Sequence, residues 1–409
     1  MLIYSIGIAL LNAGTRVAAL FNRKARLQIK GHNSIFKTLK NQVVQGDRYL
    51  WFHASSLGEF EQGRIIMETI RRDYPQYRIL LTFYSPSGYE VRKNYDGADI
   101  VCYMPFDLKF NARRFLNLCN IEKAFFIKYE FWPNFLKELS KRSIQTYSVS
   151  SIFRKDQYIF KKAGWFMRRA LKTFTHFYVQ DSNSKELLES IGINRVTIVG
   201  DTRADRVIQI AGQAAELPLV EKFASDCKVF IAGSSWPADE ELFIPLMNQR
   251  QGWKMIIAPH VIDENHLKMI EGMLEGRRFA RYSGLTADSD TQNLDCLIID
   301  CFGLLSSIYR YGNIAYIGGG FGAGIHNTLE AAVYGIPVIF GPNNKRFREA
   351  LQLIEQGGGF EISDAHSLRM TVDKFISDPA FLEQSGKAAG DYVMSNNGVS
   401  ERIVASLNL

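Results

Sequence analysis

Acidic residues are missing from the first 46 positions of the 409-residue chain, which carry Arg16, Arg23, Lys24, Arg26, Lys30, Lys37 and Lys40 instead. Those seven cations equal the whole net charge of +7, so the remainder is electrically balanced. A basic excess confined to one end argues against a nucleic-acid partner. Cysteine is also scarce: five residues, an odd number with no C-x-x-C pair, exclude a disulfide scaffold and a structural zinc site and fit a reducing, cytoplasmic setting. The seven histidines have no H-x-x-x-H spacing, so no metal is expected, and the absence of a G-x-S-x-G elbow argues against a serine hydrolase. With 11 prolines and 32 glycines the chain is neither collagen-like nor of low complexity.

No long uninterrupted apolar run is present either. Residues 1–21 are largely apolar but broken by Asn12, Thr15 and Arg16, and the basic run 22–26 follows them. A secretory signal carries its charge before the apolar part, and a good membrane span is less interrupted. The pattern favours an interfacial, membrane-associating segment over residues 1–30, its basic end drawn to anionic headgroups on the cytoplasmic side. A core helix with a solvated basic end, or a single span, are the alternatives.

What the chain does have is alternation. Short apolar runs at 49–54, 78–84, 100–105, 123–130, 145–151 and 176–181 are separated by helix-period stretches, and a second series follows at 228–235, 255–260, 295–300, 314–320 and 337–342. This is the βαβ signature of parallel sheets, and it predicts an α/β chain of two doubly wound, Rossmann-like domains. The expected boundaries are 31–207 for the first domain, 208–226 for a linker in which Pro218 interrupts helix character, and 227–409 for the second domain, whose C-terminal helix can pack back on the first. In such folds ligands sit beyond the carboxyl ends of strands, so the loops there carry the chemistry.

The first of these loops delivers Glu59 to the start of a helix through Ser55-Ser56-Leu57-Gly58. A carboxylate there can serve as general base, or it can merely complement the helix N-terminus for about 0.3–1 kcal/mol. Glu130, in Lys128-Tyr129-Glu130-Phe131-Trp132-Pro133, can orient a substrate or be a structural carboxylate tied to Lys128 or local amides. In the second domain the run from Gly318 to Glu330 follows a strand and opens a helix, the arrangement of a phosphate- or carboxylate-binding loop, though without the Walker or dinucleotide spacing. Tight strand-to-helix packing is the plainer account of it. Ser234, Ser235 and His260 lie on neighbouring loops and can ring the same phosphate. Residues 153–169 interleave aromatics with Arg154, Lys161, Lys162 and Arg168, which suits an anionic lipid headgroup, or a core helix with a snorkelling basic face.

Five stretches, residues 53–62, 128–134, 200–206, 232–241 and 318–342, in this order and spacing, resemble the Kdo (3-deoxy-D-manno-octulosonic acid) transferases of lipopolysaccharide biosynthesis. The resemblance implies a GT-B fold, two domains facing across a cleft, and inverting transfer of Kdo from CMP-Kdo to a hydroxyl of the lipid A precursor at the cytoplasmic face of the inner membrane, with no cofactor or metal. It places the catalytic base on Glu59, acceptor binding on Ser56, Glu130, Arg154, Lys161 and Lys162, and donor binding on Ser234, Ser235, His260, Gly319, Gly320, Gly322, Asn327 and Glu330. Two departures stand out. His260 occupies a position where many members have arginine, with Arg281 or Arg203 as the substitute cation, and Gly200-Asp201-Thr202-Arg203 replaces Gly-Asn-Leu-Lys. Competing readings are a UDP-sugar lipid glycosyltransferase, a UDP-sugar epimerase on the same fold, and a non-catalytic, membrane-tethered nucleotide-sugar binding protein.

Overall fold

The computed structural model describes residues 2–274 and 276–409; Met1, the first residue of the expected membrane-associating segment, lies outside the described residues. The chain forms two compact units, one running to Arg206 and resuming at Gly398–Leu409, the other spanning Val207–Asn397.

The first unit is built on a seven-stranded parallel sheet of β1 (Tyr49–Ala54), β2 (Arg78–Phe83), β3 (Ile100–Tyr103), β4 (Ile121–Ile127), β5 (Gln145–Ser151), β6 (His176–Val179) and β7 (Val196–Ile198). Their order is β3-β2-β1-β4-β5-β6-β7. Helices cover both faces, so the central strands are apolar almost throughout; every residue of β1 is buried. Trp51 anchors one face among Phe115, Phe126 and Phe135 at ring-centroid distances of 4.8, 5.2 and 5.4 Å. The other face is closed by the end of the chain: Val399, Ile403, Val404 and Leu407 pack with Leu50, Phe52 and Phe125. Asp205 fixes that closing helix, Val399–Ala405, by accepting from the amides of Val399 (3.2 Å) and Ser400 (2.6 Å).

The second unit repeats the plan with β8 (Lys228–Ser235), β9 (Trp253–Pro259), β10 (Phe279–Arg281), β11 (Cys296–Ile298), β12 (Ile314–Ile317), β13 (Val338–Phe340) and β14 (Gly359–Glu361), in the order β10-β11-β9-β8-β12-β13-β14. In both units the chain reverses its direction of winding at one place, between β1 and β4 and between β8 and β12. Those switch points open a crevice at the carboxyl ends of the strands.

The division between the units falls after Arg206, next to the expected end of the first domain at 207. Within 208–226 the helix Thr202–Gly212 ends, and Pro218 opens a separate helix, Pro218–Ala224, at a position where its missing amide costs nothing. At the N-terminus, helix Leu2–Ala18 ends before Asn22, which caps a further helix, Arg23–Gln42, by accepting from Lys24 (2.8 Å) and Ala25 (3.2 Å). Residue 30 falls inside this second helix, whose His32, Ile35 and Leu39 are buried. No helix among the described residues is long and apolar enough to cross a membrane. The first helix leaves Ile6, Leu10, Leu11 and Val17 exposed, while Tyr4 donates to the buried Asp107 at 2.8 Å.

Because Ile403 is fully buried against the sheet, Ile403→Ala is expected to destabilise the first unit by about 3 kcal/mol. Urea denaturation followed by the fluorescence of Trp51 measures it; an unchanged midpoint would show that the closing helix contributes no packing.

Candidate active site at the switch points

In the first unit, Glu59 and Glu130 meet at the ends of β1 and β4. Glu59 sits in the first turn of helix Leu57–Asp73 and bends back so that Oε2 accepts from the Ser55 amide at 2.5 Å. Ser56, the N-cap residue of that helix, is half-buried and makes no side-chain cap bond. Glu130 is buried and held by three donors, the His53 ring (Nε2 at 3.1 Å), the Trp132 indole (2.8 Å) and the Ser55 hydroxyl. One residue, Ser55, therefore bonds both carboxylates.

Their protonation states differ accordingly. Burial, then the negative charge of Glu130, pushes the Glu59 carboxyl up to about 7, against the opposing pull of the Ser55 amide and Lys128. Burial acts on Glu130 in the same direction, but the hydrogen bond and charge of His53, with Ser55 and Trp132, outweigh it and hold Glu130 below the usual range. A carboxylate with a pKa near neutrality, half-exposed beside an anchored anion, is suited to take a proton from a bound hydroxyl.

The remaining acceptor-side candidates lie apart from this pair. Arg154 is half-buried and reaches the Tyr129 hydroxyl at 3.3 Å. Lys161 and Lys162 are exposed on a groove of about 640 Å³ shared with Trp165, Arg168, Arg169 and Lys172. The segment 153–169 is not one core helix. Two 3₁₀ turns, Tyr158–Phe160 and Lys162–Gly164, lead into helix Trp165–Leu171, and Arg168 ties them by donating to the carbonyls of Ile159 (2.8 Å) and Lys161 (2.7 Å).

In the second unit the loops after β8 and β12 are brought together. Gly318 packs so closely that a Cβ there would lie 2.2 Å from the Ser234 carbonyl oxygen, and Ser234 itself takes a left-handed φ of 52°. Ser235 is buried and donates to Glu240 (2.7 Å), whose other oxygen meets His266 Nε2 (2.7 Å). The glycine amides are partly spoken for. Gly319 donates to the buried Asp239 at 2.8 Å, and the amide of Gly322 turns back to the Gly319 carbonyl at 3.0 Å. Gly320 contributes its carbonyl to Asn343. Asn327 accepts from the Leu329 amide (3.2 Å) and donates to Glu330 (2.9 Å), which holds the turn and the acid together.

His260 is exposed and stacks against Trp236 and His326, with ring centroids 4.8 and 4.4 Å apart, and the Trp236 indole donates to His326 Nε2 at 3.2 Å. Burial, then His260, lowers the His326 pKa to about 4, leaving a neutral ring. Neither substitute arginine is spare. Arg281 bonds Glu264 and Glu271, and Arg203, in the first unit, forks onto Asp201. Sequence reasoning missed Ser55, His53, Trp132, Asp239, Glu240, His266 and His326. All but His266 fall within the stretches that carry the resemblance, without being singled out there.

Each of the two Rossmann-like units thus carries a candidate site at its switch point, a carboxylate pair in the first and a glycine-rich loop in the second. Residues 23–206 match the family model of the 3-deoxy-D-manno-octulosonic-acid transferases (kdotransferase). The chain is 26% identical over 337 residues to 3-deoxy-D-manno-octulosonic acid transferase of Aquifex aeolicus, covering 80% of this chain and 86% of that one. It is 25% identical over 380 residues to a bifunctional glycosyltransferase/methyltransferase of Fusobacterium nucleatum; the match takes in 90% of this chain and 58% of the longer relative. The fold is shared with UDP-GlcNAc 2-epimerase from Neisseria meningitidis, at a TM-score of 0.63 and 13% identity over 88% of this chain and 99% of that one. The family model takes in a little under half of the chain, and the likeness to the Kdo transferases continues through the second unit in the relatives of similar length.

Removing the anionic neighbour should ease the ionisation of Glu59. Glu130→Gln is expected to lower the Glu59 midpoint, followed by carboxyl carbon-13 NMR, by about one pH unit, since less repulsion opposes ionisation. A midpoint that stays in place would mean that burial alone tunes Glu59.

Proposed function

We propose that the protein transfers Kdo from CMP-Kdo to a hydroxyl of the lipid A precursor, with inversion, in lipopolysaccharide biosynthesis. The observation that carries this reading is the Glu59–Glu130 pair: a base poised near pH 7 beside a carboxylate fixed by three donors. As the acceptor oxygen bonds to the anomeric carbon, its proton passes to Glu59. The bond from that carbon to the phosphate breaks, and CMP leaves with the electron pair. The developing charge would be met by the Ser234 hydroxyl and by those glycine-loop amides not engaged internally, fixed dipoles that need no reorganisation and no metal. Glu330, oriented by Asn327, would take the ribose hydroxyls.

The groove of Lys161, Lys162, Arg168 and Arg169 receives the acceptor phosphates. The exposed Leu10, Leu11 and Val17, followed by Arg23, Lys24 and Arg26, lay the N-terminal helix on the cytoplasmic face of the inner membrane as an interfacial anchor. The UDP-sugar readings have only the shared fold in their support.

Purified wild type and Glu59→Gln are compared with CMP-Kdo generated in situ and a tetraacylated disaccharide phosphate, the lipid products being weighed by mass spectrometry. Wild type should add one or more Kdo units, and the variant should be slower by about a thousandfold while remaining folded. A folded, CMP-binding wild type that adds nothing would overturn the donor and acceptor assignment.

A further inference from the structure

One of the buried titratable side chains takes no direct part in the chemistry but touches the carboxylate pair: His53, which projects from β1 and is fully buried. It has polar neighbours on both sides of its ring. The Trp51 indole donates to the Thr82 hydroxyl oxygen at 2.8 Å, and that hydroxyl stands 2.9 Å from His53 Nδ1. On the far side of the ring, Nε2 stands 3.1 Å from Glu130 Oε2. Nδ1 also lies 3.2 Å from the Thr82 carbonyl, and the Thr82 hydroxyl can itself donate to the Phe52 carbonyl at 3.3 Å; on the other side of the ring an ionised Glu130 can only accept, so the proton of that bond sits on Nε2.

We infer that His53 is a positioning residue which, through its Nε2–H bond, keeps Glu130 ionised and in place, so that the exchangeable proton of the carboxylate pair belongs to Glu59. Two carboxylates tied to one serine would otherwise share a proton as a coupled pair, with the base occupied by it in only part of the molecules. Ser55 cannot create the asymmetry, because it bonds both members. Trp132 helps, yet its half-buried indole belongs to the same loop as Glu130, whereas His53 ties that loop to the sheet. Lys128, from the loop after β4, and Tyr84, from the loop after β2, are the other titratable groups acting on the pair, and neither is within the His53–Glu130 bond. The inference rests on the reading of Glu59 as the base, but the titration that tests it needs no substrate.

Full-length protein labelled with carbon-13 at the glutamate carboxyls is titrated by NMR, the Glu59 and Glu130 signals being assigned from Glu59→Gln and Glu130→Gln. In wild type, Glu130 should titrate well below Glu59. His53→Leu should raise the Glu130 midpoint by about one pH unit or more and lower kcat about tenfold at pH 7, while His53→Gln, whose amide can donate from a similar position, should restore much of both. In a Glu130→Gln background, His53→Leu should have no further effect on the Glu59 midpoint. If Leu and Gln depress kcat equally at every pH while Glu130 titrates as before, His53 is only a core residue and the inference falls. If instead the titrations behave as expected but wild type transfers no Kdo, the functional reading fails and the coupling stands.

Discussion

Two neighbouring carboxylates, one buried and one half-exposed, are the constraint around which the first unit is arranged. Like charges out of water raise each other's pKa, and a fold that places them together must supply donors or accept a proton. Here the donors go to one member. Glu130 receives the imidazole, the indole and a hydroxyl, while Glu59 receives an amide and titrates near neutrality. The inequality follows from the sheet. Glu130 follows β4, and its neighbour β1 presents His53 from inside the pairing, whereas Glu59 stands on the helix beyond β1 and is half-exposed. Only at the switch point do two adjacent strands send their connections to opposite sides, leaving room for both side chains.

The second unit meets a similar difficulty in another way. Asp239 and Glu240 are buried under the glycine loop, and each is matched to protein donors: Tyr316 and the amides of Trp236 and Gly319 for Asp239, Ser235 and His266 for Glu240. The glycines are thus needed first for space. A Cβ on Gly320 would lie 2.5 Å from the Gly341 amide nitrogen, so any larger residue would push β12 and β13 apart at their ends. A loop held this firmly keeps its remaining dipoles aimed before any ligand arrives, the condition under which fixed dipoles are most effective.

Much of this was legible in the amino-acid sequence, and the part that was not has a physical reason. Strands covered on both faces must be apolar, so eleven short apolar runs announced two parallel sheets, and the glycine and glutamate loops fell at their ends. Glu59 and Glu130 could be named individually because each adjoins a strand end. Their pairing could not, because 71 positions separate them and only the β1–β4 neighbour relation brings them together. His53 read as part of a strand, and its partner Thr82 comes from β2. Asp239 lay within the stretch 232–241 without a role of its own. That it uses the amide of Gly319 depends on a contact spanning 80 positions. Pro218, a residue that cannot continue a helix, stands between two separate ones and opens the second.

The N-terminal helix is tied into the same logic. Asp107 is fully buried and accepts from the amides of Asn134 (3.0 Å) and Phe135 (2.9 Å), the first turn of helix Pro133–Lys141, and from the Tyr4 hydroxyl. Pro133 fixes the start of that helix directly after Glu130, Phe131 and Trp132. A carboxylate satisfying two otherwise orphaned helix amides is worth about 1–2 kcal/mol, and the phenol of Tyr4 completes its shell. Helix Leu2–Ala18 is therefore oriented by a bond to the residue that caps the Glu130 loop, and its register follows: with Tyr4 turned to Asp107, Leu10, Leu11 and Val17 are left outward. An apolar face of fixed orientation, rather than a tether free to swivel, means that whatever surface the helix meets is met at a set angle to the Glu59–Glu130 pair.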